Sequence, residues 1–247
     1  MMNSIFNWFE KIKKSNDPEK INDFLIEISK HPRLEYLSLI DYFIGYLAPK
    51  IHEQIKINLI YNLGELGKLE RIDIKFIDYL MNEYYNSDRW IRNEIIIAFD
   101  KISMSIHLSE QVIGLIAKAL NEDYEPIKTN SLKVLLHVEN IPKFALKNVI
   151  QVLNTSTSEI EELSTIILQK AIRNENNLFD LLKFSETYKN LNKRAIRSLL
   201  LINLNSIASL ESFRELVSKS NWEGEFKEKF LSEIGNYENL MLKKSLI

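Results

Sequence analysis

The sequence predicts an all-α protein, a right-handed α-solenoid of about seven antiparallel helix pairs. Three observations point there. Apolar residues recur with the helical period along nearly the whole chain, and no segment alternates cleanly with period two. Six glycines and five prolines in 247 residues leave little material for tight hairpin turns or glycine-lined phosphate loops. The helical segments also form two-helix units whose core pattern returns every 31 to 36 residues.

The elements follow in order. Helix 4–14 carries Ile5, Trp8, Phe9 and Ile12 on one face, with Lys11, Lys13 and Lys14 near its end. Asp17-Pro18 sets a cap before a first-turn proline and opens 18–30. His31-Pro32 separates that helix from 33–47, and Ala48-Pro49 separates 33–47 from 51–66. Gly67 and Asn86 are read as C-terminal caps of 51–66 and 71–85. Asp88 caps 88–102, where Ile91, Ile95, Ala98, Phe99 and Ile102 form one face. Ser109 and Glu110 suit the start of 108–120. Helix 124–138 follows, and Ile141-Pro142 divides it from 142–153. Ser156 to Ser158, before Glu159, suit the start of 157–173. The remaining helices are 176–186, 190–204, 207–219 and 222–236. Short connections force consecutive helices into antiparallel pairs. No linker or low-complexity run interrupts residues 1–247, so a single domain is expected: capping helices in 1–30, core repeats in 33–205 and a capping repeat in 207–247.

The repeat register starts at Ile55, Ile91, Ile127, Ile160 and Leu191. Eight residues on stand Leu63, Phe99, Leu135, Leu168 and Leu199; eleven on stand Leu66, Ile102, Val138, Ala171 and Ile202. All are apolar. Position +4 reads Leu59, Ile95, Ser131, Ser164 and Ala195, smaller in the later units, where helices are expected to crowd. Each unit has one apolar face and must stack on its neighbours to bury it.

The segments Asn86-Ser-Asp-Arg-Trp-Ile-Arg92 and Asn121-Glu-Asp-Tyr-Glu-Pro-Ile-Lys128 resemble the entry to the second helix of HEAT repeats: an acidic loop residue, then an aliphatic residue followed by Arg or Lys. His52-Glu-Gln-Ile-Lys56 is a looser match. The resemblance covers about residues 33–205. It departs from the pattern at Ile160, followed by Glu161, and at Leu191, followed by Asn192. It implies stacked helix pairs and, for the bases Lys56, Arg92 and Lys128, pairing with acids of neighbouring units.

Composition excludes several classes of chemistry. Without cysteine there is no disulfide, thiolate zinc site or cysteine nucleophile. The histidines His31, His52, His107 and His137 are dispersed, and no H-E-x-x-H occurs, so no metal site is expected. Glycine motifs for nucleotides are missing, and Gly64-Glu-Leu-Gly67 is read as a helix ending. No catalytic residue or cofactor is expected. A net charge of -2 argues against a nucleic-acid clamp, whose affinity comes mainly from phosphate neutralisation. No signal peptide or membrane span is visible, so a cytoplasmic protein is expected.

The expected function is that of a non-catalytic scaffold or adaptor, binding a protein partner on an extended surface. The candidate contact is Lys189, Lys193, Arg194 and Arg197, four bases within nine residues. They suit a partner with an acidic surface, with Glu161-Glu162 as the internal alternative. The competing expectation is a nucleic-acid-binding protein or an enzyme similar to HEAT-type DNA glycosylases, for which Trp8, Trp90 and Trp222 are the available aromatics. The first helix could instead lie on a membrane surface, although capping of an open end is the preferred reading.

Overall fold

The computed structural model describes residues 2–155 and 157–244. Among them are fourteen α-helices and no strand. They are α1 (Met2–Ile12), α2 (Pro18–Lys30), α3 (Leu37–Tyr46), α4 (Pro49–Leu69), α5 (Ile74–Asn86), α6 (Arg89–Ser103), α7 (Glu110–Ala119), α8 (Glu125–Leu136), α9 (Lys143–Val152), α10 (Ser158–Ala171), α11 (Glu175–Lys183), α12 (Lys193–Asn203), α13 (Ile207–Lys219) and α14 (Gly224–Lys244). Each expected helix is present. Ser156, offered as part of a helix start, and 245–247, in the last expected segment, lie outside the described residues.

The chain divides into two compact units between Val112 and Ile113. In the first, α4 packs against both α2 and α6, while α3 packs on α4, α5 on α6 and α1 on α2. In the second, α10 packs against α8 and α12, α12 against α14, and α11 against α9 and α13.

Local chemistry fixes the helix starts. The Asp17 carboxylate accepts from the Glu19 and Lys20 amides, and Asp88 accepts from those of Trp90 and Ile91. Asn192 accepts from Ala195, and Ser206 forms a capping box with Ser209. The cap positions Asp88, Tyr124, Thr157 and Asn192 lie 36, 33 and 35 residues apart.

The register holds in the core. All five residues at +4 and all five at +8 are buried; Ile91, Val138, Ala171 and Ile202 are half-buried. Its fifth member is displaced by one turn, because Leu191 precedes α12 and Ala195 occupies the place that Ile160 holds in α10. A slip of four residues keeps the same helix face, so the apolar pattern survives it. The Ser131 and Ser164 hydroxyls are buried without an acceptor among the described residues. Position +4 in these units therefore calls for a small side chain rather than a polar one.

Three sequence expectations are corrected. Gly67 does not end a helix, since α4 continues to Leu69. Gly64 and Gly67 instead face α6 at close range. A Cβ on Gly64 would stand 2.9 Å from Ala98 Cα, and one on Gly67 would stand 2.5 Å from Ile102 Cγ1. Second, α11 ends at Lys183, and a 3-10 segment, Phe184–Asn190, follows with Ser185 and Glu186 at φ 49° and 52°. Third, α14 runs beyond 236 because its extension is bonded: the Tyr237 hydroxyl donates to the Leu204 carbonyl at 3.0 Å, and Arg214 donates to both oxygens of Glu238.

The two glycines give a test. Replacing a helical glycine with alanine normally adds up to about 1 kcal/mol of stability. Gly114 in α7 has open space and should follow that rule. Gly64→Ala should reverse it and destabilise by about 1–3 kcal/mol, the range for overpacking. Thermal melts of the two variants in opposite directions are the expected result.

Polar bonds link residues one repeat apart. In the first unit Asn58 Nδ2 donates to Asn22 Oδ1 at 2.7 Å, Asn62 Nδ2 donates to the Leu25 carbonyl at 3.0 Å, and Lys101 pairs with Glu65 at 2.7 Å. In the second, Asn192 donates through its backbone N–H to Asn154 Oδ1 and through Nδ2 to the Asn154 carbonyl, and Lys229 Nζ donates to the Leu191 carbonyl at 2.5 Å. These polar contacts span 36 to 38 residues, beside the 31 to 36 of the apolar register.

Candidate functional site

The four bases singled out in the sequence differ in their surroundings. Lys189 lies in the 3-10 segment, where its ammonium pairs with Glu223 at 2.5 Å and Glu186 at 3.0 Å. Those two hydrogen bonds raise its pKa above the usual lysine value. Arg197 on α12 donates to Glu233 of α14 through Nε at 2.5 Å and Nη2 at 3.3 Å. Glu233 is only 1 % exposed, although Arg197 itself is largely in solvent. Arg194 reaches Glu161 of α10 at 3.5 Å, and Ser198 donates to the other oxygen of that carboxylate at 2.8 Å. Lys193 makes no ion pair among the described residues.

Arg197 therefore differs from Lys193 in having a partner within the fold. It is the counter-ion of a carboxylate shut away from water, and a buried charge without its partner is costly. Arg197→Glu should lower the melting temperature, whereas Lys193→Glu should leave it unchanged. Equal melting of the two variants would remove the structural role assigned to Arg197. The missing signal was present in the sequence as a distance: Glu233 lies 36 residues after Arg197.

The first unit contains a buried polar cluster that sequence reading did not assemble. Lys56 on α4 is buried, with its ammonium 2.7 Å from Glu83 on α5, 2.6 Å from the exposed Glu53 and 3.4 Å from Ser87 Oγ. Burial acts to lower its pKa, but hydrogen bonds to Glu53 and Glu83 outweigh that and raise it. Arg92, from the same expected ladder, donates to the Ser87 carbonyl at 2.9 Å and lies over the Tyr84 ring. Nearby, His52 Nε2 and the Tyr79 hydroxyl are 3.0 Å apart. Burial, then the Glu83 and Glu53 charges, pushes the Tyr79 hydroxyl well above its usual value. The cluster ties α4, α5 and α6 together.

His52 gives this cluster a pH signature. Burial, first, and then the Lys56 ammonium lower its pKa against the pull of Glu83 and Glu53. The folded protein thus holds His52 neutral where the unfolded chain takes up a proton, below about pH 6.5. Stability is full above that pH and declines as pH falls through the lowered value. Melts at pH 7 and pH 5 should show a drop for the natural sequence that is smaller in His52→Gln.

Two of the three tryptophans, Trp8 and Trp222, pack against other rings. Trp222 is buried between Tyr188 and Phe179, its ring centroid 4.2 Å and 5.3 Å from theirs. Trp8 meets Phe24 edge-on at 5.3 Å. Trp90 is exposed beneath the Arg89 guanidinium, and Asp88 spends its carboxylate on the α6 cap. The apolar face of α1 is covered: Phe9 and Ile12 are buried, and Phe9 contacts Phe24, Tyr42 and Phe43. No helix among the described residues is long and apolar enough to cross a membrane. His31, His107 and His137 are exposed, and no group of three potential metal ligands occurs among the described residues.

No family model matches the sequence, and no curated protein matches it. Among solved structures, the chain is similar to the crystal structure of an engineered protein, a Northeast Structural Genomics Consortium target. The identity is 13 %, the TM-score 0.53, and the match covers 94 % of this chain and 97 % of that one. At this identity the likeness concerns the fold alone.

Proposed function

We propose that the protein is a right-handed HEAT-like α-solenoid of about seven helix pairs. It works as a non-catalytic scaffold or adaptor that binds a protein partner in the cytoplasm. The observation that carries this reading is the periodic core: buried positions return every 31 to 36 residues and helix caps every 33 to 36, the arrangement expected where each unit is completed by its neighbours. In the charged clusters Lys56, Lys101, Lys189 and Arg197 pair with carboxylates of the protein itself.

Within the basic cluster, Lys193 and Arg194 are the contact residues, while Lys189 and Arg197 hold the fold. The test is affinity capture from the native cell, followed by titration of the purified partner against the natural protein and Lys193→Glu/Arg194→Glu. Binding should weaken several-fold, about 0.2–1 kcal/mol per exposed pair, and more at low salt. Nucleic acid recovered in place of protein would overturn the reading in favour of a nucleic-acid-binding protein.

A further inference from the structure

The first unit has a pocket of about 410 Å³, at the low end of the size range of small-molecule sites. It is formed by the turn between α4 and α5, the start of α5, the segment between α6 and α7 and the start of α7. Of its lining residues Ile72, Ile77 and Val112 are buried. Ile106 and Leu108 are half-buried on its wall, and Ile74 stands at the lip 63 % exposed, an unusual place for an isoleucine. No aromatic residue and no carboxylate lines it.

Its polar groups are few and of two kinds. Ser105 donates to the Gly67 and Ile102 carbonyls, and Ser109 Oγ accepts from the Val112 amide, so both hydroxyls are engaged. The side chains of Arg71 and His107 have no ion pair or hydrogen bond among the described residues. Glu70, next to Arg71 in sequence, forms no ion pair with it among the described residues, and Asp73 accepts from the Lys75 amide as the cap of α5. The pocket therefore combines a branched-aliphatic interior with an uncommitted guanidinium and an imidazole.

We propose that this pocket binds an aliphatic monocarboxylate of medium chain length, with its hydrocarbon among Ile72, Ile77 and Val112 and its carboxylate on Arg71 and His107. A guanidinium takes a carboxylate in a bidentate pair, which an alcohol cannot form. The volume suits one short chain. The exposed Ile74 then becomes the outer wall of an occupied site.

Titration calorimetry with sodium octanoate on the whole protein tests this. Octanoate should bind saturably, and hexanoate roughly tenfold more weakly, at about 0.8 kcal/mol per methylene lost. Arg71→Gln, an exposed and unpaired position, should weaken octanoate about fivefold to tenfold and leave 1-octanol unchanged. Absence of octanoate binding up to about 10 mM, weaker than any useful small-ligand affinity, would overturn the proposal. Equal affinities for octanoate in the natural protein and Arg71→Gln would overturn the carboxylate assignment. A leucine-terminated peptide that binds where octanoate fails would overturn it in favour of a protein tail.

Discussion

Phe99→Ala should destabilise the protein by about 3–5 kcal/mol, the range for truncating a fully buried aromatic. Phe99 has no solvent exposure and lies on α6, which packs against α4 and α5. Close approach of α4 and α6, at Gly64 against the Ala98 backbone and at Gly67 against the Ile102 side chain, limits collapse into the vacated volume. The cavity therefore persists, and its cost adds to the lost transfer energy. For a chain of this size the melting temperature should fall by about 6–20 °C. Leu201→Ala, at an exposed position of α12, is the control and should change stability by less than about 0.5 kcal/mol. A Phe99→Ala variant that melts like the control would mean that the core register is misplaced.

Glu83→Ala should be the second costly change. It strands the Lys56 ammonium, which is buried and 2.7 Å from the Glu83 carboxylate. Breaking a buried pair costs about 3–5 kcal/mol, and about 3 is expected because Glu53 remains as a second partner. Replacing both charges with apolar side chains removes the stranded ion as well as the pair. Lys56→Met/Glu83→Leu should therefore be more stable than Glu83→Ala alone. Urea unfolding of the three proteins measures the difference. A double variant less stable than the single one would assign the cluster a net stabilising role that burial of charge does not predict.

Most of the helices were legible in the sequence because the signals that form them are local. Asp17-Pro18, Asp88 and the spacing of Ile95, Phe99 and Ile102 act within one or two turns. Contacts between helices are not local, and here the reading was incomplete. Gly64 and Gly67 looked like a terminus because glycine favours helix ends; their role is visible only beside Ala98 and Ile102 of α6. Arg197 was read as part of a contact patch because its acid, Glu233, lies 36 residues away; Lys189 has Glu186 three residues before it as well as Glu223 34 residues after. The repeat offset itself could have revealed them. Stepping about 36 residues from each charge finds Lys101 from Glu65 and Glu233 from Arg197. Position Leu191 misled for the opposite reason: a one-turn slip preserves the apolar face, so sequence pattern alone does not detect it.

The central claim is that each helix pair is stabilised chiefly by the pairs beside it. Amide hydrogen exchange on Leu168→Ala tests it most directly. Leu168 is fully buried on α10, which packs against α8 and α12. In a repeat architecture protection should fall most in α10, less in α8 and α12, and least in α13 and α14, which pack on each other and lie a further contact away. A uniform loss from α8 to α14 would instead show a single cooperative core and contradict the repeat account.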